Sequence, residues 1–392
     1  MSQYIAILPK SFETGSANSG RYTQNRFVAS RDREGITTMG KALIAMSGGV
    51  DSSLAAKIMM DRGYDCIGCT MKLFDNEDAG IDREHTCCSL RDVEDARAIA
   101  YQLGMLYYVF NFTRDFQDKV IRKFVDSYEQ GITPNPCLDC NRYMKFDKLL
   151  ERAKILACDI IVTGHYARIE ENNGTYVLKK ALDETKDQSY VLYSLTQEQL
   201  AHTQFPLGNM RKAEVRKIAE ENGFINAQKP DSQDICFVPD GDYAKIIERH
   251  TGRKARPGNF VDQNGNILGT HKGIIHYTVG QRKGLGISSS DPLFVCKICA
   301  QSGDILLGTQ EDLMSQALTA TDFHWISGAE PKNELRCKAK IRYRQAEQDA
   351  TVSVLEDHTV RVMFDMPQRA ITPGQAVVLY DGDVVLGGGT IQ

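Results

Sequence analysis

Short apolar runs alternate with stretches of helical spacing over the first half of the chain. Ala42–Met46 is a continuous apolar run and reads as a buried strand. Leu54, Ala55, Ile58 and Met59 then recur at helical spacing, with Gly63 placed to end the helix. Cys66–Leu73 reads as the next strand, Val93–Leu103 as a helix and Leu106–Phe110 as a strand. Helices are expected over about Phe116–Gln130 and about Arg142–Leu156, then a strand over Ile160–Thr163. Strands alternating with helices predict βαβ units and a parallel sheet. After about residue 200 the pattern changes. Arg211–Asn222 gives one more helix, with Gly223 behind it. Beyond residue 257, short β-type runs are separated by turn pairs. Asn264-Gly265 and Asp381-Gly382 each lie between apolar runs, and Asn173-Gly174 marks an earlier hairpin. The last ~100 residues predict an antiparallel barrel or sandwich.

Length makes this more than one domain: 392 residues correspond to two or three. Residues 1–38 have no periodic apolar face, and Ser11–Ser30 is rich in Ser, Asn, Gly, Thr and Arg. This segment reads as a disordered extension, or as a start placed upstream of Met39. A transit peptide is the rival reading, and Glu13, Asp32 and Glu34 weigh against it. Apolar runs such as Ala42–Met46 and Asp159–Val162 are far short of the ~20 residues of a membrane helix, so no membrane association is expected.

Charge changes the picture only locally. Lys and Arg total 47 against 51 Asp and Glu, a formal charge of −4, which excludes a wholly basic nucleic-acid coat. In Arg336–Arg344, however, every even position is basic and every odd one apolar or aromatic. As one strand it would carry five positive charges on a single face, facing phosphates. The alternative is a solvated edge strand that uses charge against aggregation. Gln281–Lys283 and Arg253–Arg256 are lesser basic candidates.

The first candidate chemistry lies between the first strand and its helix. In Ser47-Gly48-Gly49-Val50-Asp51-Ser52-Ser53 the glycines let backbone approach a phosphate, and the helix start offers unpaired N–H groups to an anion. Asp51 would repel phosphate directly, so Mg²⁺ is its sensible partner. No Lys follows the glycines, so this is not the Walker loop. The loop resembles that of the N-type ATP pyrophosphatase superfamily, whose members cleave ATP between the α- and β-phosphates.

Eleven cysteines, an odd count without a signal peptide, fit a reducing cytoplasm. Cys66/Cys69 and Cys296/Cys299 have CxxC spacing but fall in strand-like runs, where such positions point to opposite faces; packing is the expected role. Cys137/Cys140 follows Thr133-Pro134-Asn135-Pro136, read as irregular and extended, and precedes a helix over Asn141–Leu150. A thiol at that helix start is expected to have a lowered pKa. Cys236 lies in the polar segment Asp231–Phe237. Cys87 and Cys88 have no evident role.

From about Lys41 to Gln392 these segments closely resemble the tRNA-specific 2-thiouridylases. The matching stretches are Ala45–Ser52, Thr133–Phe146 (TPNPCLDCNRYMKF), Thr163–Tyr166, Lys186–Tyr190, Asp231–Phe237, Tyr277–Gly286 (YTVGQRKGLG), Ile341–Gln345 and Thr372–Gln375. The resemblance implies an α/β fold class: a parallel-sheet ATP pyrophosphatase (adenine nucleotide alpha hydrolase-like) domain at 39–203, a small central α+β domain at 204–290 carrying Cys236, and an antiparallel β-barrel at 291–392. It implies an ATP-dependent sulfurtransferase that replaces O2 of wobble uridine 34 with sulfur in the tRNAs for Lys, Glu and Gln. ATP with Mg²⁺ would be held at Ala45, Met46, Ser47, Gly48, Gly49, Val50, Asp51 and Ser52, with Met71 and Gly164 at adenine and ribose.

By the same resemblance, Cys236 would carry a persulfide supplied by a donor protein, a cysteine desulfurase or a sulfur relay protein. Cys140 would be the nucleophile that releases the sulfur, leaving a Cys140–Cys236 disulfide. Asn135, Pro136 and Cys137 would meet the extruded base. His165, Lys186, Asp187, Gln188, Arg342, Tyr343 and Gln375 fall at tRNA-contact positions. Some family members carry Asp at the Cys137 position as an acid/base group. Here it is Cys, with Asp139 two residues on as the other candidate. Cys137, Cys140 and Cys236 could instead hold a 4Fe–4S cluster. Another ATP pyrophosphatase, such as an amide- or lysidine-forming one, and a non-catalytic metal-bearing RNA-binding protein are the remaining alternatives.

Overall fold

The computed structural model describes residues 30–31, 37–74, 90–231, 235–238 and 240–392. Most of the expected 1–38 extension, and Cys87 and Cys88, lie outside the described residues. Ser30–Arg31 pairs with Thr37–Thr38 in a short antiparallel ladder.

The predicted parallel sheet is present, with five strands in the order Leu106–Asn111, Asp65–Lys72, Lys41–Ala45, Ile160–Val162, Thr203–Gln204. Lys41–Ala45 runs parallel to both neighbours, Asp65–Lys72 on one side and Ile160–Val162 on the other. The strand order therefore reverses beside it, at the place where open α/β sheets bind ligands. Both faces are covered. Leu43, Ile67, Cys69 and Ile161 enter one apolar cluster, while Ala42, Ile44, Cys66, Ile160 and Val162 enter the other. Cys66 and Cys69 thus do point to opposite faces.

Two expected helices are continuous but contain wide i→i+5 turns, over Gln117–Ile121 and Cys140–Lys148. The second helix begins earlier than expected. Asn135 caps it, accepting from the Cys137 N–H at 3.2 Å, and Pro136 occupies its first position. Cys137 and Cys140 therefore lie within the helix rather than in an extended segment before it.

The expected division at 203/204 falls inside the strand Thr203–Gln204, and the helix Lys212–Glu221 that follows packs on the helix Val50–Asp61. Residues 204–227 are thus part of the sheet unit. The expected division at 290/291 likewise cuts a four-stranded sheet, ordered Ile267–His271, Gly258–Val261, Asp304–Gly308, Phe294–Cys299.

The last strands, Met314–Trp325, Leu335–Lys340, Gln348–Val354, Val360–Arg369, Ala376–Asp381 and Val384–Ile391, form an antiparallel barrel. It closes where the first pairs with the last, Ala320 opposite Ile391. The Asp381-Gly382 and Asn264-Gly265 hairpins form as predicted. The Asn173-Gly174 hairpin forms too, with both residues at positive φ, and it joins the barrel sheet through Lys179 opposite Val384. The barrel also docks on the cysteine-bearing helix: Thr133 N–H donates to the Pro373 carbonyl at 3.1 Å, and Arg142 pairs with Asp322 at 2.5 Å.

Candidate active site

The strand Lys41–Ala45 delivers its C-terminal end to the Gly-rich turn. Met46 is fixed there: its N–H donates to the Cys69 carbonyl at 2.7 Å, and its carbonyl accepts from Thr70 Oγ1 at 2.6 Å. Ser52 Oγ accepts from Ser47 N–H at 3.2 Å and donates to the Gly49 carbonyl at 3.0 Å, which folds the loop over the start of the helix Val50–Asp61. Gly48 has φ +76°, and a Cβ there would meet the Asp92 carbonyl oxygen at 2.4 Å. Gly164 faces the loop from the end of the neighbouring strand; a Cβ on it would stand 2.8 Å from the Asp51 carbonyl carbon and the Ser52 nitrogen. Gly48→Ala is therefore expected to weaken ATP binding by about 5- to 150-fold through about 1–3 kcal/mol of strain. Calorimetric titration of ATP into the variant measures this.

The loop lacks a lysine of its own, but two reach it from far along the chain. Lys212 Nζ lies 2.7 Å from Asp51 and 2.8 Å from Asp231. Tyr166 donates its hydroxyl proton to Asp51 at 2.8 Å. Asp231 also receives Lys186 at 2.8 Å and Arg216 at 2.9 Å. Burial alone would raise the Asp231 pKa, but its hydrogen bonds with Lys186 and Lys212 outweigh that and hold it at about 2. On the other flank, Lys229 Nζ donates to the Gly48 carbonyl at 3.2 Å and meets Asp92 at 2.6 Å and Asp95 at 2.7 Å. Buried Asn226 bridges the Gly48 carbonyl and Ser53 Oγ at 3.0 and 2.9 Å. None of Lys212, Lys229, Asn226 or Arg216 was singled out in the sequence. The one available signal was that their segment, 204–231, continues the helix-bearing unit.

The two expected sulfur-handling cysteines are brought to one apolar cluster. Cys140 and Cys236 are both half-buried on its rim, as are Ala45 and Met71 at the strand ends beside the loop. Phe237 anchors the Cys236 segment: it is fully buried and meets Phe124 and Phe116 edge-on at 5.3 and 5.7 Å. The expected lowering of the Cys140 pKa is corrected. Burial pushes this thiol up to about 11, and Lys145 only partly opposes it. Desolvation outweighs the helix start because Cys140 lies one turn inside. Cys137 is exposed on the same helix. Asp139 is buried in an ion pair with Lys123 at 2.7 Å; burial raises its pKa, and Lys123 offsets this in part. Among the described residues, no three His, Cys, Asp or Glu side chains are grouped to hold a metal ion. Of the trio Cys137, Cys140 and Cys236, the first is exposed and the other two are half-buried. Cys66 and Cys337 are buried thiols, each pushed up to about 12 by burial.

The residues expected to touch tRNA fall into two groups. Asn135 and Pro136 form the helix start beside Cys137. Gln375 Nε2 donates to the Thr133 carbonyl at 2.8 Å, tying that segment to the barrel. Tyr343 is part-exposed and packs near Tyr190, with rings 6.0 Å apart. By contrast His165 is buried, its ring nitrogens 2.7 Å from Thr163 Oγ1 and 3.4 Å from Lys145 Nζ. Asp187 accepts from the Ala181 and Ser189 N–H groups, and Gln188 holds the Tyr166 backbone through Oε1 at 2.9 Å. Of Lys186–Gln188, only Lys186 reaches a charged group of the network.

The basic row is also corrected. The strand ends at Lys340, and neighbouring strands supply acids: Arg336 pairs with Asp365, and Lys338 with Asp349 at 3.4 Å. Arg342 turns inward to donate to the Ala370 carbonyl at 2.6 Å, where burial lowers its pKa. Five charges are not presented on one face.

A phosphate loop at the switch point of a parallel sheet, served by lysines from outside the loop, places this chain among the α/β nucleotide-binding proteins of ATP-pyrophosphatase type. Family models agree: one described as a tRNA methyl transferase HUP domain matches residues 40–240, a PRC-barrel domain model of the same series matches 244–309, and an aminomethyltransferase β-barrel domain model matches 315–391. The tRNA-specific 2-thiouridylase MnmA of Acetivibrio thermocellus is 52% identical over 90% of this chain and 99% of its own length. That of Clostridioides difficile is 50% identical over 90% and 98%. The chain belongs to the tRNA-specific 2-thiouridylase family. Among solved structures, the U34-tRNA thiolase NcsA from Methanococcus maripaludis, with its 4Fe–4S cluster, is 17% identical over 56% of this chain and 70% of its own, with a TM-score of 0.34; so slight a likeness carries no argument.

Proposed function

We propose that the chain is an ATP-dependent sulfurtransferase, a tRNA 2-thiouridylase that acts on wobble uridine 34 of the tRNAs for Lys, Glu and Gln in the cytoplasm. One observation carries this reading. Cys140 and Cys236 sit on the rim of the same apolar cluster as Ala45 and Met71, beside the phosphate loop. On this reading, activation and sulfur delivery meet on one base. ATP binds along Ala45–Ser52, its Mg²⁺ carried on the phosphates and supplying charge neutralisation when bound. Asp51 is the carboxylate within reach of that ion, and it must then yield Lys212.

The uracil O2 attacks the α-phosphorus, pyrophosphate leaves, and C2 bears AMP as a leaving group. The terminal sulfur of the Cys236 persulfide attacks C2 and AMP departs. The Cys140 thiolate then attacks Cys236 Sγ. The Cys140–Cys236 bond forms, the S–S bond to the delivered sulfur breaks, and that sulfur keeps the electron pair as 2-thiouridine. An external dithiol reduces the disulfide afterwards. The persulfide comes from a donor protein, a cysteine desulfurase or a sulfur relay protein. Asn135–Cys137, Tyr343 and Gln375 line the approach of the extruded base. No helix among the described residues is long and apolar enough to cross a membrane.

The test is thiolation of an anticodon stem-loop by purified protein, ATP and a persulfide donor, read as oxygen-for-sulfur exchange at position 34. The expected product carries that mass gain, with AMP and pyrophosphate released. A colourless, iron-free preparation is expected to be active. No exchange at position 34 with the correct tRNA overturns the reading.

A further inference from the structure

Cys140 presents a problem for any reaction that uses its sulfur as a nucleophile. Its thiol is packed against an apolar cluster and held protonated at neutral pH by burial. The backbone supplies a remedy. Turns hydrogen-bonded i→i+5 run from Cys140 to Lys148, and beyond them Leu149 N–H reaches the Met144 carbonyl, five residues back. In an ordinary α-helix, neighbours on one face are three and four apart. The wider turn closes between positions five apart and brings them onto adjoining faces. A π-turn opening at Cys140 thereby places Lys145 beside it.

Lys145 is in turn held from outside the helix. Its Nζ lies 3.4 Å from Nε2 of His165, which follows the strand Ile160–Val162. An ammonium has only donors, so Nε2 accepts and Nδ1–H donates to Thr163 Oγ1 at 2.7 Å. The imidazole is buried against Phe146 and Phe205, and that burial, with the Lys145 charge, holds it neutral.

We infer that Lys145, aimed by neutral His165, is the positioning cation that stabilises the Cys140 thiolate during sulfur release. This rests on the proposed role of Cys140 as the releasing nucleophile. Other charged and titratable groups around Cys140 are committed elsewhere. Cys137 and Asp139 on its own helix both oppose a thiolate. Lys123, from the helix packed alongside, is paired with Asp139, and Arg142 with Asp322 of the barrel. Tyr343 interacts with Cys137, and both Tyr343 and Tyr193 are kept protonated by burial. Lys145 is therefore the cation acting on Cys140, and His165 serves the reaction from the interior rather than by touching tRNA.

The test needs neither tRNA, ATP nor sulfur donor. Native protein is treated with methyl methanethiosulfonate across a pH series. Cys140 modification is followed by mass spectrometry in the tryptic peptide Phe124–Arg142, with fragment ions separating it from Cys137. Lys145→Met is expected to move the Cys140 pH–rate profile upward by about one unit, or roughly tenfold in rate at fixed pH below it. Lys145→Arg is expected to restore it. His165→Phe, which fills the aromatic site but cannot accept from Lys145, is expected to give the same upward move. Lys119→Met, removing a cation that lies over the Tyr143 ring, is expected to leave the profile in place. Continued protection of Cys66 and Cys69 shows that a variant is folded; should Lys145→Met fail this check, His165→Phe carries the test. An unchanged Cys140 profile in folded Lys145→Met or His165→Phe overturns the inference. A Cys140→Ser protein that still thiolates would remove the proposed nucleophile role, a separate result.

Discussion

Cys236→Ser is expected to lose 2-thiouridine formation by at least about 10³-fold while retaining tRNA-dependent pyrophosphate release. A serine oxygen cannot carry the transferable sulfur, but nothing about phosphate binding passes through this side chain. Nor should the substitution unfold the segment, because its anchors are neighbours: Phe237 and Val238 are buried and Asp231 is held by Lys186, Lys212 and Arg216. Cys140→Ser is expected to lose product to the same degree, with a different residue of the reaction left behind. The uracil stays joined to Cys236 through the unbroken S–S bond, detectable as tRNA covalently bound to the protein and released by dithiol. Because the two thiols act in one sequence, the double variant is expected to be no worse than either single one. Cys137→Ser, on an exposed thiol, is expected to keep most of the activity. Loss of activity together with loss of bound iron in Cys137→Ser would instead revive the cluster. The sulfur-release step should also quicken with rising pH, since Cys140 is protonated below about 11 and only its thiolate attacks.

What could be read from the sequence was what is encoded locally. The run Ala42–Met46 followed by SGGVDSS carries its own strand, turn and helix start, and the parallel sheet follows from the alternation. Cys66 and Cys69 could be set aside as a chelating pair because strand geometry sends positions three apart to opposite faces. Turn pairs such as Asn173-Gly174 and Asp381-Gly382 announce hairpins because few residues accept positive φ. What was missed depends on distant segments meeting. Lys212 and Lys229 are ordinary helix and loop lysines until the fold sets them 2.7 Å from Asp51 and 3.2 Å from the Gly48 carbonyl. The alternating charges of Arg336–Arg344 looked available for phosphate, yet Asp365 and Asp349 come from the paired strands and answer two of them. The wide turns over Cys140–Lys148 leave no mark in a 3.6-residue period, and so hid the relation of Lys145 to Cys140. Pro136 was misjudged for another reason: a proline after Asn can open a helix as readily as prevent one, and here Asn135 supplies the cap.

Lys212→Met is expected to reduce ATP-dependent pyrophosphate release by about 10²–10³-fold, the scale of losing one preorganised charge at a reacting phosphate. The loop has backbone donors and hydroxyls but no cation of its own, and pyrophosphate leaves with more charge than it had within ATP. Lys212 is the buried cation on the Asp51 side, its side chain only 10% exposed. Asp51 would hold Mg²⁺ bound with ATP, which would supply charge neutralisation there, and Lys212 would then face the phosphates from its pairing with Asp231. Methionine keeps an unbranched apolar stem and deletes the ammonium, which lies over the Tyr166 ring. Lys212→Arg should recover only part of the rate, because a planar guanidinium does not fit between two carboxylates set for a compact ammonium. The same variant bears on acid stability. The folded Asp231 titrates at about 2 against an ordinary 3.8, so its ionised form stabilises the fold above pH 3.8 and loses that contribution as pH falls through 2. Without Lys212, the Asp231 value should rise and that acid-side loss should begin at higher pH. Thermal melts across pH 2–5, run beside the pyrophosphate assay, separate the two effects. Unchanged pyrophosphate release in a folded Lys212→Met protein would remove this lysine from the chemistry and leave it as a tie between the loop and the Cys236 segment.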